Sequence, residues 1–129
     1  MQRTERMIEL LQASKQITDH MERNDQAANQ LMELNQLLQH LVAEMNDDHY
    51  DEKYLLERIR QAKTIVANME NTAENNYLME TSGDIDKFES LSIEEQAENN
   101  DAYHEKIDYL SLKKVNENMD KIMTMIESH

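Results

Sequence analysis

The chain has 129 residues, with 27 Asp and Glu against 13 Lys and Arg, for a formal charge of −14. It holds one Gly, no Pro, no Cys and no Trp, and 39% of its residues are apolar, where an average globule has about 45–50%. Disulfide frameworks, thiolate metal centres and thiol nucleophiles are excluded, and a many-stranded sheet lacks its usual turn residues, so the expected fold is all-α.

The first element is a heptad seam. Met7, Leu10, Ser14, Ile17, Met21, Asn24, Ala28, Leu31, Asn35, Leu38, Val42 and Met45 recur at alternating steps of three and four, the spacing that keeps one helix face turned to a partner. Leu34 and Leu41 widen the stripe on one flank, and Leu11 and Met32 widen it on the other. The pattern predicts one helix over 4–46, roughly 60 Å long at 1.5 Å per residue. The segment 46–51 reads NDDHYD; short polar side chains that bond the nearby backbone predict a reversal there, with Asp51 capping the next helix.

A second helix is predicted over 51–80, from Leu55, Ile59, Ala62, Val66, Met69, Ala73 and Asn76. A loop follows over 81–91, TSGDIDKFESL, which contains the only Gly and the only Phe. Gly83 is expected to end the helix in a left-handed conformation, while Ile85 and Phe88 tuck back as a plug. Ser92 with Glu95 fits a capping box, so a third helix is predicted over 92–127. Its first half carries a weak stripe of Ile93, Ala97, Asn100, His104 and Ile107. Its second half restarts in another frame with Leu112, Val115, Met119, Ile122 and Ile126, which rotates the apolar face.

Charge is unevenly spread. Residues 1–63 carry −4, residues 64–105 carry −10 with Lys87 as their single base, and residues 106–129 are neutral. A phosphate-binding surface needs clustered Lys and Arg, so no nucleic-acid partner is expected. No apolar run reaches the 18 residues of a membrane span, and the first residues, MQRTERMIELL, lack a signal-peptide core. The chain is therefore expected to be cytoplasmic, with no membrane partner.

Sites of chemistry are sparse. Asp47, Asp48, His49, Asp51 and Glu52 crowd together but lack the alternating oxygens and Gly of a Ca²⁺ loop. No Glu stands three residues before any of the five His, so the paired Glu-x-x-His of a bundle di-metal site is missing. Glu94, Glu95, Glu98, Glu105 and Asp108 echo the EExxE…ExxD carboxylates with which all-helical nucleotide pyrophosphohydrolases bind Mg²⁺, although both parts fall on one predicted helix. No G-x-S-x-G or Gly-rich phosphate loop is present. The reading therefore holds no catalytic residue, cofactor or metal.

The resulting expectation is a single domain, 1–129: an elongated antiparallel hairpin plus a third long helix, coiled-coil-like. Because three amphipathic helices with 39% apolar residues bury only a slim core, a homodimer is expected to complete a bundle of four or more helices. Leu112, Val115, Met119, Ile122, Met123 and Ile126 are the expected partner or dimer interface. Glu94, Glu95, Glu98, Asp101 and Glu105 are the expected acidic docking surface. The leading function is a non-enzymatic interaction module for another protein, an acidic adaptor or regulator similar in character to flagellar and type III secretion chaperones. An acidic inhibitor of a basic or nucleic-acid-binding protein ranks second, and a metal-dependent nucleotide hydrolase last.

Overall fold

A computed structural model describes residues 3–21, 28–47 and 50–128. These form helices and turns with no strand: α1 (Arg3–Asp19), α2 (Ala28–Met45), α3 (Glu52–Glu80), α4 (Ile85–Glu89), α5 (Ile93–Glu98) and α6 (Asn100–Glu127).

The long first helix is replaced by a hairpin. In one continuous helix Thr18 and Asn35 would lie roughly 25 Å apart at 1.5 Å per residue. Instead the Thr18 hydroxyl donates to Asn35 Oδ1, and Thr4 Oγ1 meets the Tyr50 hydroxyl at 2.8 Å, so α1 and α2 run antiparallel. The heptad pattern misleads because the same faces that suit one long seam also suit two short helices folded on each other. The sequence does weaken in between: between Met21 and Leu31 the only apolar residues are Ala27 and Ala28. Asn24 lies outside the described residues.

The four long helices close a ring. α1 packs on α2 and α6, and α3 packs on α2 and α6. Asn118 Nδ2 donates to Ser14 Oγ at 3.1 Å and Arg3 Nη1 to the Met125 carbonyl at 3.0 Å, which sets α6 antiparallel to α1. The Lys63–Asp120 ion pair joins α3 to α6. The fourth helix that a second copy was expected to supply is α2 of the same chain. Its Leu31, Leu34, Leu37, Leu38 and Leu41 are all buried, and such a side chain contributes about 1.5–3 kcal/mol when withdrawn from water.

Helix lengths are unequal, and this shapes the molecule. α1 and α2 have 17 and 18 residues, while α3 and α6 have 29 and 28. The main core reaches Ala73 on α3 and Leu112 on α6. Beyond it α3 and α6 continue as a two-helix arm with a separate small core of Tyr77, Phe88 and Ala102.

Local signals explain the joints. Asp51 caps α3 by accepting from Lys53 N at 2.9 Å. At the other end Gly83 N bonds the Leu78 carbonyl at 2.8 Å and Ser82 N bonds the Met79 carbonyl at 3.1 Å, the Schellman pattern. The left-handed closing position there belongs to Ser82 (φ 55°), with Gly83 (φ 82°) one residue later. The segment 81–91 contains α4, and the predicted helix 92–127 is two helices. Asn99 leaves helical geometry (φ −91°, ψ 79°), caps α6 at Ala102 N and donates to the Glu80 carbonyl at 3.4 Å. Asn favours this role because its side chain competes for backbone groups.

Candidate functional site

The expected interface on the last helix is filled from within. Leu112, Val115, Met119, Ile122 and Ile126 are buried in the main core, and Met123 packs half-buried beside them. These side chains form the fourth wall of the bundle, so this fold does not offer them as a surface. The neutral charge of residues 106–129 suits that inward role.

The arm is different. Where α1 ends, α6 keeps going, and a cleft of about 520 Å³ opens between them. Ile17, His20 and Met21 form one wall; Ala97, Asn100, Tyr103, His104, Ile107, Asp108 and Ser111 form the other. Four of these, Ala97, Asn100, His104 and Ile107, belong to the weak stripe of the first half of the predicted third helix. Within the bundle such a stripe meets a neighbouring helix. Here it lines an open cleft, and Ile107 is 44% exposed.

Acidic side chains border the arm. Glu94, Glu95, Glu98 and Asp101 are exposed, and Glu105 is half-buried. Asp101, Glu105 and Asp108 follow one another at steps of four and three along α6, which places them on one flank. Burial first, then the charges of Asp108, Glu80 and Asp101, push the Glu105 carboxyl above its ordinary range, while a hydrogen bond with Asn76 works the other way. Like charges therefore crowd together at the α3–α6 seam.

The crown of the arm is held by polar groups that sequence periodicity does not reveal. Gln96 is buried, and its amide donates to the carbonyls of Leu91 at 2.9 Å and Glu89 at 3.4 Å. Its Oε1 accepts from Lys106 Nζ at 2.7 Å. Tyr77 packs edge-on against Phe88 (centroids 5.8 Å apart) and lies 6.5 Å from Tyr109. Its hydroxyl donates to Glu89 Oε1 at 3.1 Å, and burial, with that bond and the Glu89 charge, raises its pKa well above the ordinary phenol value.

The remaining sequence candidates are scattered. In the NDDHYD turn Asp51 caps α3 and Glu52 pairs with Arg3; Asp48 and His49 lie outside the described residues. Glu94, Glu95 and Glu98 sit on α5, while Glu105 and Asp108 sit on α6. Among the described residues no three His, Asp or Glu side chains are grouped to hold a metal ion, and no helix is long and apolar enough to cross a membrane. Ser14 is buried against Asn118 as part of the core.

No protein-family model, no curated protein and no solved structure matches this chain.

Proposed function

We propose that the chain is a non-enzymatic helical interaction module, an acidic adaptor or chaperone-like regulator that holds another protein on its two-helix arm. One observation carries the reading. Eight large apolar side chains are exposed among the described residues, and six of them, Leu78, Met79, Leu91, Ile93, Ile107 and Leu110, lie between residues 78 and 110. That stretch also falls largely within the acidic segment. Large apolar side chains left exposed in numbers on one part of a chain, among acidic ones, are what a protein contact site there needs.

The homodimer was expected to supply the fourth helix of a bundle, and α2 supplies a fourth helix within the chain. We therefore favour another protein over a second copy as the partner. The test is affinity capture from the native host with the full chain and with a variant carrying Leu78→Ser, Met79→Ser, Ile93→Ser and Ile107→Ser. A partner held by the wild type and lost by the variant supports the module, and an unchanged set of captured proteins overturns it.

The charge-mimic reading has its own support in Glu94, Glu95, Glu98 and Asp101, all exposed around one end of the arm. The two readings separate by salt. A purely electrostatic complex weakens steeply as ionic strength rises, whereas an apolar contact persists.

A further inference from the structure

We propose that the cleft between the end of α1 and the first half of α6 is a groove for one amphipathic helix of a partner protein, with an apolar stripe and a basic flank. The proposal rests on the interaction-module reading and gives that module a place and a partner chemistry.

Three observations meet at this cleft. The first is shape: α1 stops after 17 residues while α6 runs for 28, so among the described residues α6 has α1 beside it along its second half and a cleft on that same side along its first. Among the described residues this cleft lies past the end of α1, on the side of α6 that a docked helix would take. The second is apolar lining: Ile17, Met21, Ala97, Tyr103 and Ile107 face the space. Helix-in-groove recognition uses anchors at i, i+3, i+4 and i+7 against such walls, and the adaptable Met21 side chain suits a surface that must fit an incoming helix.

The third is charge. Asp108 lines the groove, and Asp101 and Glu105 continue its flank. Residues 64–105 as a whole carry −10. Lys106, the nearest base on α6, is engaged by Gln96 on the opposite flank. A second copy of this chain would bring its own acids to the same rim, where like charges oppose docking. A helix with Lys or Arg beside its apolar stripe brings cations to that acidic flank and is steered in from a distance.

Three synthetic peptides provide the probes. One has Leu at i, i+3, i+4 and i+7 with flanking Lys; one is the same with Glu for Lys; one has the Lys peptide's composition with the stripe scrambled. Each is titrated against the full chain by fluorescence anisotropy. The expected result is binding of the Lys peptide and at least about tenfold weaker binding of the other two, as removal of a central anchor or of charge complementarity commonly gives. Ile107→Asp is expected to lower Lys-peptide affinity by about tenfold or more, with the protein still folding cooperatively because Ile107 is 44% exposed and lies outside the main core. Asp101→Lys tests the flank and is expected to act in the same direction.

Equal binding of all three peptides overturns the groove, as does an Ile107→Asp protein that folds and binds normally. A doubled light-scattering mass that Ile107→Asp abolishes also overturns it, in favour of a second copy. A host partner captured equally by the wild type and by Ile107→Asp overturns the groove while leaving the interaction module standing.

Discussion

Ser82 closes α3 in a left-handed conformation at φ 55°, where a Cβ meets the following carbonyl and costs about 1–2 kcal/mol. Ser82→Gly is therefore expected to stabilise the chain by about 0.5–1 kcal/mol, read as a higher urea midpoint. Gly83 also has positive φ, and a Cβ built there meets nothing within 4 Å. Gly83→Ala should cost about 1 kcal/mol from backbone strain alone, and a larger loss would show that the turn itself rearranges. A second pair tests the core. Asn118 is 2% exposed and donates to the fully buried Ser14. Ser14→Ala leaves the Asn118 amide unpaired, at about 1–3 kcal/mol. Adding Asn118→Leu removes the orphaned group and should recover most of that loss. If the double variant is no better than Ser14→Ala, the cost lies in packing rather than in the broken bond.

At the scale of elements, Gln96 ties the crown to the arm. Its amide serves the carbonyls of Glu89 at the end of α4 and of Leu91 just past it, and its oxygen holds Lys106. Gln96→Ala should raise hydrogen exchange over residues 85–98 while bundle amides keep their protection, because the lost bonds lie outside the main core. Equal loss of protection throughout would mean that crown and bundle open as one unit. This joint also shows what the sequence could reveal. Asp51 and Ser92 were legible as caps because their chemistry is local, and the inward stripe from Leu112 to Ile126 was legible as an apolar face. Which partner that face meets was not, since apolar periodicity is silent on whether the neighbour belongs to the same chain. The fold-back between α1 and α2 was hidden for a related reason: a heptad pattern keeps its phase across two helices as readily as along one. The cleft escaped notice because its wall, Ala97, Asn100, His104 and Ile107, reads as a poor core stripe, and only the different lengths of α1 and α6 leave it open.

Across the whole molecule, charge and core are separated. The ion pairs Arg3–Glu52, Arg6–Glu9, Lys15–Asp19, Lys63–Asp120 and Lys114–Glu117 all sit outside residues 64–105, where the −10 resides. Within the arm, Glu105 meets the like charges of Asp108, Glu80 and Asp101. Glu105 reports its burial first and that repulsion second. Its folded-state pKa is raised above the ordinary value of 4.5 by burial and by Asp108, Glu80 and Asp101. A group shifted upward contributes its full stability below the unfolded value and loses it as pH rises through the folded one. At neutral pH ionised Glu105 therefore opposes folding, and Glu105→Gln should raise the melting temperature at pH 7. The gain should shrink on acidification and vanish below about pH 4, where wild-type Glu105 is itself neutral. Salt acts on the same repulsion from outside, since the screening length falls to about 8 Å at 0.15 M. The wild-type melting temperature should rise from low salt to that range and then flatten, and Glu105→Gln should respond less steeply. A melting temperature that falls with added salt would show that the peripheral ion pairs outweigh the crowded arm, and the acidic segment would then be no source of strain.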